Sequence, residues 1–296
     1  MRLVPIFKRT VRLRADDPAG LSGLYSVFPP NSRIMIVQTH SDDCLIHAGC
    51  TAAIIGGALK NMSWEAHLAT LVSDEAGVTD SYARNYYKNV LRPQGSHYAG
   101  LQNIKRYIRY RESNLNAAEL GFQNRHTQFD FSWPVISAVY DHDGKRLLSS
   151  ATAYRKPTNG DLARVCDFVA DFRADIYLMA WPGSLHQHHR QSTSLFLKAI
   201  KCFNPSAYVY FWRNKEEKEN SLFPDNICLY YSDQQEKENS LRIHNANDSQ
   251  NTRRGGSGHY YEEMAEDIGQ YVNKRYPLAD APGHYAEGFW AARIGP

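Results

Sequence analysis

Arg33 to Thr39 reads RIMIVQT, a short β-rich apolar run directly after the breaker Pro29-Pro30-Asn31-Ser32, and is predicted as a buried strand. Asp43 to Leu59 follows, rich in Ala, Ile, Leu and Gly, with an apolar face at helical spacing. A second apolar run, Ala66 to Val72, comes after the Asn61-Met62-Ser63 turn. Strand, helix and strand in this order make a β-α-β unit, for which a right-handed crossover and a parallel sheet are the default. The rhythm continues. Helical periodicity returns at Ile104–Leu120, Leu162–Phe172 and Gln191–Cys202, and strands are predicted at Asp175–Ala180, Tyr208–Trp212 and Ile227–Tyr231. The predicted fold is therefore α/β: a doubly wound, Rossmann-like, mostly parallel sheet flanked by helices. Residues 33–296 form one α/β domain and 1–32 an N-terminal extension.

Two kinds of segment depart from the pattern. Residues 213–226 and 233–253 are polar and charge-rich, and the EKENSL they share (Glu217–Leu222 and Glu236–Leu241) is read as coincidence rather than as a repeat. Ser81 to Gly100, rich in Tyr, Asn and Arg, shows no clean period and is long enough to be a functional loop. Between Ser81 and Glu112 lie Arg84, Lys88, Arg92, Lys105, Arg106, Arg109 and Arg111 against Glu112 alone. Such a run is either a solvated basic face or the lining of a site for an anionic or hydroxyl-rich ligand.

Composition narrows the function classes. The balance of 34 Lys+Arg against 31 Asp+Glu, a net charge of +3, is too mild to drive non-specific nucleic-acid binding, and no nucleic-acid partner is expected. The 5 cysteines, Cys44, Cys50, Cys166, Cys202 and Cys228, are scattered without a C-x-x-C pair, which reads as reduced thiols in a cytoplasmic protein. The basic N-terminus lacks the continuous apolar core of a signal peptide, and no stretch approaches the ~18–20 apolar residues of a membrane span. Oligomeric state is not legible.

In an open α/β sheet, ligands bind outside the carboxyl ends of the strands, so the residues after each strand carry the chemistry. After the first come Thr39-His40-Ser41-Asp42-Asp43-Cys44, and after Asp175–Ala180 come Trp181 through His186-Gln187-His188-His189-Arg190. Side by side on one sheet edge, these loops would offer the imidazoles and carboxylates of an open catalytic zinc site. Each part also has a plainer reading. Asp42 or Asp43 suits the N-cap of the next helix, and the histidines suit a solvated loop. Together they hold more candidate ligands than capping requires.

These motifs resemble those of the LmbE-like, or PIG-L, zinc-dependent N-deacetylases. His40-Ser41-Asp42-Asp43-Cys44 is similar to that family's H-P-D-D-E, and His186-Gln187-His188-His189-Arg190 to its H-P-D-H-R. Weaker similarities follow in order: Asp74-Glu75-Ala76-Gly77 to G-E-x-G, Arg109 through Gly121 to R-x-x-E…A-A-x-x-L-G, Ser232 through Gln250 to S-D…K…H-x-S-Q, and Gly283–Trp290 to G-x-x-Y-A-E-x-F. The departures are Ser41 for Pro, Cys44 for Glu, His188 for Asp, Ser184 where some members have Tyr, and a longer spacing before Ser249-Gln250.

The resemblance implies a deacetylase-like domain over 33–296, with one zinc held by His40, Asp43 and His189. It makes Asp42 the general base and His186 the group facing the scissile carbonyl, with Glu75 and Arg109 binding substrate. The implied substrate is a small amino sugar or its conjugate carrying an N-acyl group, N-acetyl foremost. Two other readings stand beside it. A nucleotide- or cofactor-binding module would use the same sheet edge, although no G-x-G-x-x-G or P-loop follows any strand. A cysteine hydrolase would use Cys44, a residue type more often buried than nucleophilic.

Overall fold

A computed structural model describes residues 2–7, 9–14, 24–58, 64–73, 78–96, 100–131, 133, 139–140, 146–147, 155–184, 186–212, 226–231, 260–276 and 285–295. The strands are β1 (Leu3–Pro5), β2 (Val11–Arg14), β3 (Arg33–Gln38), β4 (Glu65–Thr70), β5 (His126–Gln128), β6 (Val139–Tyr140), β7 (Arg146–Leu147), β8 (Ile176–Ala180), β9 (Tyr208–Trp212), β10 (Ile227–Tyr231) and β11 (Tyr285–Ile294). The helices are α1 (Asp43–Ala58), α2 (Asp80–Tyr86), α3 (Leu101–Glu119), α4 (Asn159–Phe172), α5 (Gln187–Phe203) and α6 (Tyr260–Arg275).

Nine strands form one sheet in the order β2-β10-β11-β9-β8-β3-β4-β5, with β1 also on β11, while β6 and β7 pair separately. β3 runs parallel to β4 and β8, and β8 parallel to β9. β11 is antiparallel to β1, β9 and β10. From β3 the chain winds outward through β4 to β5, then returns to the other side of β3 with β8 and β9. The strand order therefore reverses between β3 and β8, and a crevice opens at such a point between the loops that leave in opposite directions.

The central strands bury both faces, which is why they read as continuous apolar runs. Along β3, Ile34 and Ile36 join a core shared with Leu45, Ile55 and Leu178, whereas Met35 and Val37 join one with Tyr177, Phe196 and Val209. α1 and α6 contribute to the first layer and α4 and α5 to the second. At the end of α1 the backbone packs against the turn after α3. Gly121 is left-handed at φ +87°, and a Cβ built on Gly56 would stand 1.8 Å from the Leu120 carbonyl oxygen, so only glycine fits there.

α1 is kinked at Ala48 (φ −146°, ψ 26°). The break detaches amides from their carbonyls one turn back, and a side chain from β11 receives them. The buried Glu287 carboxylate accepts from the Cys50 and Thr51 N–H groups at 2.9 and 3.0 Å and from the Thr51 hydroxyl at 2.7 Å. Glu287 thus acts as an N-cap delivered from another element, which ties the end of the chain to the helix that leaves the site.

Several expectations change. Ser81–Gly100, expected as a loop, is helical through residue 91: α2 starts on a Thr79 side-chain cap and runs into a π turn over Tyr87–Leu91. Its period was hidden because tyrosines do the burying, with Tyr82, Tyr86 and Tyr87 packing beside Ala83 and Leu91 on Ile104 and Ile108 of α3. The stretch before residue 33, read as an extension, supplies β1 on β11 and β2 on β10. α5 begins at Gln187, earlier than expected, so His188 and His189 are buried helical residues and not a solvated loop. Both EKENSL segments lie outside the described residues. Among the described residues, no helix is long and apolar enough to cross a membrane.

Candidate metal centre

The β3–β8 pairing sets Val37 beside Met179 in parallel register, so the loops leaving both strands emerge together at the reversal point. The first loop carries His40, Asp42 and Asp43 into α1, and the second delivers His186, His188 and His189 at the start of α5. One ligand atom from each of His40, Asp43 and His189 lies within 4.8 Å of the other two. A carboxylate and two imidazoles are the donor set of an open, hydrolytic divalent-metal site rather than of a closed, thiolate-rich structural one.

Asp43 is prepared for that use. Its Oδ2 accepts from the backbone N–H groups of Thr39 at 3.1 Å and His40 at 2.8 Å, which locks the carboxylate and aims Oδ1 at His189 Nε2, 3.1 Å away. His40 Nδ1 stands 3.5 Å from Oδ2. Burial alone would raise the Asp43 carboxyl, but the His189 and His40 imidazoles override it and hold the group well below the usual carboxylate range. The plainer reading as a helix cap does not describe Asp43, whose bonds run backward into the loop.

Asp42 points elsewhere. Its Oδ1 receives Arg109 Nη2 at 3.3 Å, while Arg109 Nη1 donates to Glu112 at 3.0 Å. Arg109, expected at the mouth as a substrate ligand, is 4% exposed and clasped between two carboxylates. A guanidinium so buried faces these carboxylates and not open solvent. It belongs to a polar stripe of α3 in which Arg109, Glu112, Ser113 and Asn116 are all buried, with the Asn116 amide donating to the Ser41 carbonyl at 3.3 Å. Spacing of three and four puts these residues on one helix face.

The wider basic excess is also partly spent. Lys105 pairs with Asp80 at 2.6 Å and Arg106 with Asp130 at 3.0 Å. Arg84, Lys88, Arg92 and Arg111 are exposed.

His186 caps α5 in extended conformation, its N–H donating to Ser184 Oγ at 3.1 Å. Its ring lies over His189 with centroids 4.4 Å apart and meets His40 edge-on at 5.3 Å. Burial first, then the surrounding imidazoles, push its pKa far below the usual histidine value and keep the ring neutral. Glu75 lies outside the described residues. Cys44 is 0% exposed and belongs to the core cluster that α1 shares with the sheet.

One participant that motif reading passed over as a mere departure is His188. It is 0% exposed, and its Nδ1 sits 3.0 Å from His40 Nε2. The signal available in the sequence was a third histidine two residues from His186, which spacing alone could not separate from a surface residue.

No family model matches the chain, and no curated protein matches it. Solved structures do share the fold. N,N′-diacetylchitobiose deacetylase from Pyrococcus horikoshii aligns at 14% identity and TM-score 0.57 over 93% of this chain and 92% of that one. The zinc-inhibited form of a teicoplanin deacetylase aligns at 15% identity and TM-score 0.56, covering 88% and 98%. The 4-carboxy-2-hydroxymuconate hydratase of Pseudomonas putida aligns at 16% identity and TM-score 0.53, covering 90% and 97%. The architecture is thus that of a fold which holds deacetylases and a hydratase.

Proposed function

We propose that this chain is a zinc-dependent N-deacetylase that removes an acetyl group from an amino sugar or an amino-sugar conjugate. The observation that carries the reading is the clustering of His40, Asp43 and His189 from two neighbouring loops, next in sequence to a separate carboxylate, Asp42, that is braced by a buried arginine. The donor set, two nitrogens and one oxygen, suits a divalent ion of the zinc type. Such an ion, when bound, lowers the pKa of a coordinated water toward about 7 and polarises an acyl oxygen.

The chain's own groups supply the rest. Asp42 takes a proton from the attacking water as its oxygen bonds to the amide carbon, and returns one to the nitrogen as the C–N bond breaks. Acetate and a free amine result. Arg109 fixes that carboxylate from behind, and Glu112 balances the guanidinium so that the buried charges are paired. His186, held neutral, donates a hydrogen bond to the developing oxyanion. Glu75 is assigned to substrate binding by resemblance alone.

Two of the structures that share the fold are named as deacetylases, one of them for N,N′-diacetylchitobiose, which supports an N-acetyl amino sugar as substrate. The third is a hydratase, and fold alone does not select a reaction. The product does. A panel of N-acetylated amino sugars, assayed for free amine with and without a chelator, should give amine release that the chelator abolishes and added zinc restores. Release unaffected by chelation, or none from a zinc-loaded protein across the panel, would refute the proposal. Asp42→Asn should lower the rate about 10²–10⁴-fold and His186→Ala about 10²–10³-fold, both with zinc retained.

A further inference from the structure

The buried His188 is not used by the chemistry above, and its two ring nitrogens are both engaged. Nε2 stands 2.7 Å from the Trp133 carbonyl oxygen. A carbonyl oxygen can only accept, so Nε2 carries the hydrogen, and in a neutral imidazole Nδ1 is then a lone-pair nitrogen. That lone pair faces His40 Nε2 at 3.0 Å, which makes His40 the donor. With its hydrogen on Nε2, a neutral His40 would turn the lone pair of Nδ1, the nitrogen 3.5 Å from Asp43, toward an ion shared with that carboxylate.

We propose that His188 is a positioning residue that fixes the tautomer and ring orientation of His40, so that Nδ1 is presented to the metal. The proposal rests on the metal reading of the site. The relay runs one way because its far end cannot exchange roles: from the Trp133 carbonyl through His188 to His40. That end is itself anchored. Trp133 is 1% exposed, stacks on Phe131 with centroids 5.2 Å apart and planes at 18°, and donates from Nε1 to Asp161 at 3.1 Å. Asp161 in turn closes the capping box of α4 with Thr158.

A metal-ligating histidine needs its second nitrogen engaged, because rotation of the ring or a change of tautomer would aim a hydrogen at the ion. Where the resembled motif carries an aspartate, an imidazole stands here. A neutral His188 accepts from His40 as a carboxylate would, but adds no negative charge behind the ligand. It also needs a hydrogen-bond acceptor of its own, which explains why a buried backbone carbonyl is aimed at Nε2.

The test has two readouts. In the zinc-loaded protein, long-range proton–nitrogen NMR of the labelled imidazoles should show hydrogen on Nε2 of both His40 and His188 and a lone pair on His188 Nδ1. Zinc titrations against a chromophoric chelator should then show affinity about 10–100-fold weaker in His188→Leu, the range typical of losing such a partner. His188→Gln, which offers both an acceptor and a donor, should recover at least half of that loss on a logarithmic scale. If His188→Leu does not fold, the tautomers of the unaltered protein and the Gln variant decide. Zinc binding by the unaltered chain with His40 protonated on Nδ1, or by His188→Leu at full affinity, would overturn the relay alone. Failure of the unaltered chain to bind zinc would overturn the metal reading, and the relay with it.

Discussion

Replacing Arg109 by Met keeps much of the side chain's length and removes its charge. The Arg109 side chain is 5% exposed, Glu112 1% and Asp42 13%, so the change leaves one carboxylate wholly buried and a second partly so, without their shared cation. Breaking a buried ion pair by removing one partner costs about 3–5 kcal/mol, because the remaining charge stays desolvated. At roughly 2–4 °C per kcal/mol for a chain of this size, Arg109→Met should melt about 6–20 °C below the parent. The double variant Arg109→Met/Glu112→Leu removes the worse stranded charge as well and should regain more than half of that loss, since residues in contact do not add. Activity should not follow stability. Asp42 lacks its brace in both variants, so kcat should fall about 10- to 100-fold in each, below the full 10²–10⁴-fold contribution of a positioned base. Thermal melts beside kcat and KM on a turned-over N-acetyl sugar make the comparison. A rise in KM alone, with kcat and melting temperature unchanged, would mean that Arg109 binds substrate and that its positioning role is wrong.

Three further outcomes are expected. Gly56→Ala should lower stability by about 1–3 kcal/mol or more, read by denaturant titration, because its Cβ would fall 1.8 Å from the Leu120 carbonyl oxygen and backbone must move. Stability should also fall as pH drops through the window from about 6.5 to about 4: burial depresses His67 and His126 to about 4 each, the unfolded chain binds protons first, and neutral rings are favoured above the window. Denaturation curves across that window should flatten in His67→Phe/His126→Gln, and an unchanged slope would contradict the assignment. Cys44→Ser should keep activity within about tenfold of the parent, the ~1.4 kcal/mol scale of a packing defect, and abolished turnover with zinc bound would bring the thiol back into the chemistry.

The central strands were legible because burial on both faces writes itself as an apolar run, as in RIMIVQ of β3 and YVYFW of β9. β11 was not, since its YAEGFWAARI carries a buried glutamate whose partner is a kink in a helix more than 230 residues earlier. β5 is three polar residues at the sheet edge, and β2 alternates Val11 and Leu13 with arginines in a short basic stretch that reads as an extension. The two loops that carry the metal candidates stood out in the sequence because they follow β3 and β8 directly. What spacing could not convey is direction: that Asp43 turns back on its own loop, that Asp42 reaches Arg109 on α3, and that His188 lies behind His40. Those depend on α3 and the Trp133 segment arriving from elsewhere in the chain.

The two adjacent aspartates offer the most direct trial of the proposed chemistry, through zinc content measured beside deacetylation rate in Asp42→Asn and Asp43→Asn. Asp42→Asn should bind zinc at the parent's stoichiometry and turn over about 10²–10⁴-fold more slowly, having lost only a proton acceptor. Asp43→Asn should lose the metal, since the carboxylate that two backbone amides aim at His189 is the ligand. A metal-depleted Asp42→Asn together with a metal-replete, slow Asp43→Asn would reverse the two roles and contradict the account.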